Sequence, residues 1–214
     1  MSGRIERLRA ELRKQELPAM LLLNPLDVGY LSGFTGSTAA LVVTPERAVF
    51  ITDSRYVLQA QRECPGFELA VTEGSGAYEE TIASEARRLG LAELGVESEF
   101  VTMARFEQLR EKLEGIALRP ASGVAGPLRR VKDAEEIARI REACALADRT
   151  FEFALTLLKP GAVEREIAAD MDHFMRRHGA EKEGFDTIVV SGARSAFPHG
   201  RPSEKALEMG DLVT

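Results

Sequence analysis

The fold is decided by residues 39–52, Ala-Ala-Leu-Val-Val-Thr-Pro-Glu-Arg-Ala-Val-Phe-Ile-Thr. Two apolar runs, Ala39–Thr44 and Ala48–Thr52, flank the polar triplet Pro45-Glu46-Arg47. Apolar, β-branched runs of this length favour strands, and the short polar connection between them predicts a β-hairpin. A hairpin joins antiparallel neighbours, so a sheet that also contains crossover connections must be mixed.

Strands and helices alternate on both sides of this hairpin. Before it we expect a helix and then a strand; after it we expect a helix that begins at Asp53-Ser54 and ends at Cys64, and then further alternating elements. The predicted helices are 4–16, 53–64, 79–89 and one capped by Thr102, and the predicted strands are 19–23, 67–72 and 94–97. This alternation predicts an α/β domain with a mixed sheet. Residues 27–38 hold two glycines three apart, but no Lys-Ser/Thr pair follows, so we interpret them as a tight structural loop.

A change in composition at residues 119–127, rich in Gly and Pro, predicts a linker between two domains, 1–127 and 128–214. Beyond it, Asp133 and Glu136 have the spacing of a capping box at the start of a helix of about 25 residues. Its apolar residues repeat at helical spacing and are expected to face inward: Ile137, Ile140, Ala143, Cys144, Ala147, Phe151, Ala154, Leu155 and Leu158. A second helix is expected at residues 164–178.

The candidate functional residue is His199. A β-branched run, Thr187–Val190, predicts a buried strand that leads into the turn Ser191-Gly192. His199 follows between two prolines, and Gly200 beside it tolerates a positive φ. A histidine fixed at the end of a strand suits binding or proton transfer, because its charge changes near neutral pH. The alternative is a solvent-facing turn histidine without a function.

Composition excludes several classes of protein. The net charge of −6 and the pI near 5.3 argue against nucleic acid or an anionic membrane as the main partner. The sequence has no apolar run of membrane-spanning length and no signal-peptide core at its start. Two cysteines, Cys64 and Cys144, are too few for a disulfide framework or a zinc site, so we expect a reduced, cytoplasmic protein. His173 and His178 lie five apart on the second predicted helix, so they point in different directions and are expected on a solvated face.

The last residues predict a turn at Met209-Gly210-Asp211 and the start of a strand at Leu212–Thr214. A domain rarely stops where a strand begins, because the half-built sheet would expose an unpaired edge. We therefore expect that the chain is cut short.

Several segments, in this order, resemble the Xaa-Pro peptidases, the aminopeptidase P and prolidase group of the M24 metallopeptidases. Residues 30–37 and 52–56 are similar to that group's creatinase-like N-terminal domain, and residues 130–137 resemble the entry to its catalytic domain. Residues 185–192, Pro198-His199-Gly200 and 210–213 then follow the same pattern. The resemblance covers nearly the whole chain. It implies a creatinase-like mixed-sheet α/β domain followed by the first part of a "pita-bread" (α+β) catalytic domain.

The resemblance also implies a function: hydrolysis of the peptide bond before proline at a centre of two divalent metal ions, manganese, cobalt or zinc. The family's five ligands are two Asp, one His and two Glu, and the first would be expected about two residues after Thr214. The chain as given would therefore bind no metal and would be inactive alone. His199 matches the family histidine that hydrogen-bonds the substrate or the tetrahedral intermediate. Phe197 and Phe185 would wall the pocket, or Phe185 would pack in the core. Arg55 would reach a neighbouring subunit's active site across a homodimer contact, or would be a surface arginine at a helix start.

Two other readings stay open. A creatinase-like amidinohydrolase shares the fold, needs no metal and uses the equivalent histidine as acid and base. Alternatively, the chain is a non-catalytic module for peptide binding or dimerisation, as in chromatin chaperones with a domain of this fold.

Overall fold

The computed structural model describes residues 2–74 and 78–214 of the chain. The chain divides into two compact units, Met1–Val131 (the first unit) and Lys132–Thr214 (the second unit). The boundary between the units follows Val131, whereas the boundary predicted for the domains follows Pro127. No helix within the described ranges is both long and apolar enough to cross a membrane.

A six-stranded mixed sheet forms the centre of the first unit. Its strands are β1 (Met20–Leu22), β2 (Ala40–Val43), β3 (Ala48–Asp53), β4 (Glu68–Thr72), β5 (Glu93–Glu97) and β6 (Ala117–Ala121), in the order β4-β3-β2-β1-β5-β6. The predicted hairpin is confirmed, because β2 and β3 pair antiparallel with Val43 opposite Ala48. β1 also pairs antiparallel with β2, and the other three pairings are parallel. The predicted fold class, α/β with a mixed sheet, is therefore confirmed.

Helices cover both faces of this sheet. They are α1 (Ser2–Lys14), α2 (Pro25–Ser32), α3 (Val57–Glu63), α4 (Tyr78–Arg88), α5 (Met103–Lys112) and α6 (Gly126–Arg130). Side chains of β1 alternate between two cores: Leu22 belongs to the cluster that contains Leu8 of α1. Leu21 belongs to the cluster that contains Ile82 of α4 and Leu109 of α5. Both faces of β1 are buried, and this explains its continuous apolar sequence.

The predicted loop at residues 27–38 is wrong over its first half, where the structure has helix α2. The Asn24 side chain accepts a hydrogen bond from the Leu26 N–H at 3.0 Å, and Pro25 occupies the first turn. Proline fits that position because its fixed φ suits a helix and its missing N–H has no partner there in any case. Asn24-Pro25 therefore starts a helix and does not only end a strand.

The predicted linker at residues 119–127 is also wrong, because it contains the end of β6 and the start of α6. Two side-chain contacts attach α6 to the first unit. The Tyr30 hydroxyl donates to the Leu128 carbonyl at 3.0 Å, and Arg129 Nη1 lies 2.8 Å from Oδ1 of the buried Asp27. The segment is thus an integral part of the first unit.

The second unit contains two helices, α7 (Ala134–Leu157) and α8 (Glu164–Arg177). The predicted capping box is present at the start of α7, with Asp133 and Glu136 each accepting a hydrogen bond from the other's backbone N–H. The predicted inward-facing stripe of α7 is only partly buried: Ala154 is buried, whereas Ile137, Ile140, Phe151 and Leu155 are exposed.

The predicted strand Thr187–Val190 does not form. The segment pairs at its end only, where Val190 exchanges two hydrogen bonds of 2.9 Å with Thr214 and the following Ser191 bridges Val213. Val189 and Val190 are nevertheless buried, beside Ile167 of α8 and Leu207. The apolar run thus indicated burial. Its valines are buried in irregular backbone of the second unit and not in a paired strand.

Candidate functional site

His199 lies in an exposed loop that follows a short 3-10 helix at Gly192–Ala196. The loop makes two successive turns. The Phe197 N–H donates to the Arg194 carbonyl at 3.0 Å, and the Gly200 N–H donates to the Phe197 carbonyl at 3.1 Å. These local bonds hold the backbone on both sides of His199 and leave its imidazole open to solvent.

The glycine after His199 is required by a close approach. Gly200 is buried, and a Cβ added to it would lie 2.8 Å from Val190 Cγ1. A positive φ, which glycine would tolerate, is not needed here, since the φ of Gly200 is not positive. The loop therefore packs its backbone directly against the apolar run 187–190.

One carboxylate accepts hydrogen bonds from both ends of the segment 191–203, which contains the 3-10 helix and the loop of His199. Glu164, at the start of α8, is fully buried. Its Oε1 accepts hydrogen bonds from the Ser191 N–H at 2.6 Å and the Ser191 hydroxyl at 2.9 Å. Its Oε2 accepts from the Ser203 N–H at 3.0 Å and the Ser203 hydroxyl at 2.7 Å. Burial raises the pKa of Glu164, but these hydrogen bonds outweigh it and hold the pKa below its ordinary value.

Two further charged side chains brace the loop. Arg194 Nη2 donates to the Arg201 carbonyl at 2.7 Å, across the segment that carries His199. Asp211 lies against Gly192, where it accepts from Lys205 Nζ at 2.5 Å and from the Glu208 N–H at 2.9 Å. The hydrogen bond from Lys205 lowers the pKa of Asp211, so this carboxylate stays charged near neutral pH.

The aromatic side chains predicted to wall a pocket are both exposed, Phe185 by 76% and Phe197 by 56%. Core packing, the alternative for Phe185, is therefore wrong. Phe185 lines a groove of about 610 Å³ on the second unit, together with Asp172, Asp186 and Arg201. Neither Phe197 nor His199 is among the described residues that line it.

Arg55 lies in the first unit, in a cluster formed by the two motifs of residues 30–37 and 52–56. Its Nη2 and Nε donate to the Asp53 carboxylate at 2.8 and 3.0 Å, and its guanidinium lies 5.3 Å from the centre of the Tyr56 ring. The hydrogen bond from Arg55 lowers the pKa of Asp53. Tyr56 in turn contacts the Phe34 ring edge-on at 5.6 Å, and its hydroxyl lies 2.7 Å from Ser37 Oγ. The two motifs are separate segments of the sequence, and Tyr56 brings them into contact in the first unit.

The described residues do not form a metal centre. Within residues 2–74 and 78–214, no three His, Cys, Asp or Glu side chains converge closely enough to hold a metal ion. The His178 ring stacks on Phe174 at 4.0 Å, and its Nδ1 lies 2.8 Å from the Phe174 carbonyl oxygen. The described carboxylates and histidines therefore do not fit a dinuclear metal site by themselves.

Sequence reasoning treated Glu164 only as the first residue of a helix. Its hydrogen-bond partners are 27 and 39 residues away in sequence. Acidic residues are common in the first turn of a helix, so the position itself carries no signal of burial. Only the tertiary structure identifies Glu164 as the residue that closes the loop.

Comparison with known proteins relates both units to peptidases. Residues 4–131 match the creatinase/prolidase N-terminal domain, and residues 138–214 match metallopeptidase family M24. The chain is 31% identical to an Xaa-Pro dipeptidase of Pyrococcus furiosus over 215 residues, which cover all of this chain and 59% of that protein.

Solved structures give the same relation. An Xaa-Pro dipeptidase from Bacillus anthracis matches with a TM-score of 0.93 and 36% identity, over 99% of this chain and 59% of that one. An X-Pro aminopeptidase from Thermotoga maritima matches with a TM-score of 0.85 and 32% identity, over 95% and 59%. The chain thus spans about 59% of the length of these relatives.

Proposed function

The chain belongs to the creatinase/prolidase N-terminal domain family, and from this membership we propose that its protein is a metal-dependent hydrolase of the peptide bond before proline. The observation that carries the proposal is the continuity of the match. Both units, including the loop of His199, correspond to an Xaa-Pro dipeptidase over 99% of the chain. The substrate is a peptide with proline in its second position.

His199 has the geometry for a hydrogen bond to the substrate. Its imidazole is exposed, and the backbone on both sides of it is fixed by turns and by the contact of Gly200 with Val190. Cleavage of an amide places negative charge on the carbonyl oxygen in the tetrahedral intermediate, and a positioned N–H donor stabilises that charge. We assign this role to His199, with the exposed Phe197 ring as an apolar contact for substrate.

The proposal includes two metal ions but specifies only their class, divalent cations. Two divalent cations, manganese, cobalt or zinc, fit the family, and carboxylates and a histidine are ligands that such ions accept. The described residues supply no such ligand set, so the roles assigned to them are substrate contact and hydrogen bonding.

Arg55 is proposed to contact a neighbouring subunit's site in a homodimer. Its support is exposure: 69% of the side chain is open to solvent although Asp53 pairs with it. Location in the cytoplasm and dimerisation stay predictions from the sequence. The molar mass of the native protein by light scattering tests the dimer, and Arg55→Ala then tests the contact through the KM of the peptide.

The test of the function uses the natural full-length protein supplemented with manganese. Release of the residue before proline from a short peptide, abolished by a chelator, is the expected result. His199→Ala is expected to lower kcat by about 100-fold or more, the usual contribution of one hydrogen-bond donor to the oxyanion, with bound manganese unchanged by elemental analysis.

His173→Ala is the matched control, because His173 is exposed on α8 and has no proposed role. Loss of manganese in His199→Ala would contradict the assigned role. Absence of peptide cleavage, with metal-independent hydrolysis of an amidino compound, would favour the amidinohydrolase reading, and peptide binding without cleavage would favour the binding module.

A further inference from the structure

Glu164 holds two distant points of the chain with a single buried carboxylate. All four of its short hydrogen bonds come from Ser191 and Ser203, one backbone N–H and one hydroxyl from each. These two serines are the two ends of the segment 191–203, and His199 lies within that segment. The carboxylate therefore closes the segment into a loop whose ends cannot separate while Glu164 stays bonded to both.

The backbone around Glu164 reinforces this closure at one end. The Glu164 N–H donates to the Lys205 carbonyl, and the Arg165 N–H donates to the Ser203 carbonyl, both at 3.1 Å. The other end, Ser191, is joined to the start of α8 by the side chain of Glu164. Backbone bonds hold the Ser191 end to residues 212–214, but not to α8. Loss of the carboxylate would thus separate the Ser191 end from α8, while the backbone pairing would still hold the Ser203 end to it.

Arg194 couples the same carboxylate to the middle of the loop. Its Nε lies 3.4 Å from Glu164 Oε2, and its Nη2 donates to the Arg201 carbonyl at 2.7 Å. The guanidinium thus spans from the buried acid to a backbone atom two residues after His199. The link from Arg194 to the carboxylate is an ion pair without a hydrogen bond from Nε, whereas the Nη2 hydrogen bond holds the backbone at Arg201.

We propose that Glu164 is a positioning residue, which sets the conformation of the loop 191–203 and thereby the place of the His199 imidazole. The inference rests on the proposed function for its catalytic consequence, whereas its structural part, closure of the loop by Glu164, stands by itself. The partners of all four of these hydrogen bonds belong to the second unit, as Glu164 does.

The variant that tests the structural part is Glu164→Gln in the full-length, manganese-loaded protein. The amide keeps the shape and one acceptor oxygen, but its NH2 group cannot accept from both donors of a serine. Amide hydrogen exchange, read by mass spectrometry, is expected to rise at least about 10-fold in residues 191–203, the effect of losing a hydrogen bond to a charged group.

Glu166→Gln is the matched control, since Glu166 is exposed in the same first turn of α8. It removes the same charge near the helix N-terminus without a bond to the loop. Equal exchange in both variants would overturn the proposal, because the charge and not the closure would then matter. An increase in α8 and α7 as large as that in residues 191–203 would also overturn it, since Glu164 would then support the unit as a whole without a particular effect on the loop.

The catalytic part is tested by a double-mutant cycle with His199→Ala, measured as kcat and KM for an Xaa-Pro dipeptide. A residue that acts through His199 loses its effect when the imidazole is gone. Glu164→Gln is expected to lower kcat about 10-fold or more in the wild-type background, with little change in KM, and less than about 2-fold in the His199→Ala background. An equal factor in both backgrounds would show a general structural role and would overturn the positioning role.

Failure of the proposed function would give results different from failure of the positioning role. If the wild-type protein cleaves no Xaa-Pro peptide, the function is wrong, and hydrogen exchange in the loop still decides whether Glu164 closes it. If Glu164→Gln fails to fold, Ser191→Ala replaces it, because this change removes one hydroxyl donor and leaves the carboxylate in place. Its expected effect is the same pattern at the Ser191 end of the loop, with a smaller increase in exchange.

Discussion

Each of the two units buries a glutamate, and the pKa values of the two carboxyls are shifted in opposite directions. Glu97, in the first unit, accepts from the Leu23 and Asn24 N–H groups at 2.5 and 2.9 Å, but it lies beside a second acid, Asp27. Burial and the neighbouring acid raise its pKa to about 7. Glu164, in the second unit, has four donors, and its pKa is lowered. Burial beside a second acid thus shifts Glu97 towards the acid form, whereas four donors outweigh burial and favour the anion of Glu164.

The units also differ in what holds them together. In the first unit, two apolar clusters pack against the faces of a continuous hydrogen-bonded sheet. In the second unit, the described apolar cluster has only four buried members, Ile167, Ala168, Val189 and Leu207. Its loops are instead tied by side-chain hydrogen bonds to Glu164 and Asp211. Substitution of one of these polar side chains in the second unit should thus lower the free energy of unfolding as much as substitution of a core residue in the first unit.

The largest effect is expected from Glu164→Ala. This change leaves the buried N–H group of Ser191 and the partly buried N–H group of Ser203 without an acceptor, so the free energy of unfolding should fall by about 3–5 kcal/mol. Urea unfolding followed by far-UV circular dichroism measures the loss. Glu166→Ala, at an exposed position of the same turn, should cost less than about 0.5 kcal/mol. A loss below about 1 kcal/mol for Glu164→Ala would break the contrast between the units.

The second prediction uses pH to separate the two glutamates. Glu97 is protonated in the folded state up to a pKa of about 7, whereas its ordinary value is 4.5. The stability that it contributes is complete below pH 4.5 and is lost as the pH rises through 7; the loss is about 3 kcal/mol. Glu164 has the opposite sign, because its lowered pKa gives stability above its ordinary value that is lost in acid.

Glu97→Gln isolates the first of these effects, since an amide mimics the protonated acid at every pH. The variant should match the wild type near pH 4.5 and exceed its stability above pH 7. In the 214-residue chain, tyrosine fluorescence follows the first unit alone, because Tyr30, Tyr56 and Tyr78 all lie there. Glu99→Gln, exposed two residues further on, should leave the pH dependence unchanged. Parallel pH profiles of Glu97→Gln and the wild type would contradict the buried acid pair.

A glycine with left-handed backbone in each unit extends the comparison. Gly192 has a φ of 57°, and a Cβ added there would lie 2.7 Å from Oδ1 of Asp211, which Lys205 holds in place. Gly192→Ala should therefore cost about 2–3 kcal/mol, from backbone strain and the clash together. Gly90, in the first unit, has a φ of 67° with nothing within 4 Å, so Gly90→Ala should cost only about 1 kcal/mol. Equal losses by urea unfolding would mean that Asp211 moves aside.

The sequence allowed much of the first unit to be predicted, because its signals are local. Alternating elements and the hairpin at residues 39–52 gave the mixed sheet. Helix α2 was missed, since Asn24-Pro25 has the same composition whether it ends a strand or caps a helix. The apolar stripe of α7 was correct in its spacing, but spacing does not say whether a partner covers the helix.

The second unit was harder to predict because its structure depends on distant contacts. The apolar run at residues 187–190 correctly indicated burial, but strand pairing needs a partner, and only Val190 and Ser191 find one, at residues 213–214. His199 was selected as a candidate because prolines and a glycine flank it locally, and its role stays a prediction. Glu164 could not be found, since both of its partners are more than 25 residues away.

A third carboxylate, at the start of α7, gives the smallest predicted effect and sharpens the role of burial. Asp133 accepts from the Glu136 N–H at 2.9 Å, as the buried glutamates do from their donors, but it is only partly buried. Water can replace its side chain at the donor, so Asp133→Ala should cost about 1 kcal/mol. Asp133→Asn, which keeps an acceptor oxygen, should restore most of that stability in urea unfolding. A loss for Asp133→Ala as large as that of Glu164→Ala would mean that hydrogen bonding alone, and not burial, sets the cost of removing a carboxylate from this unit.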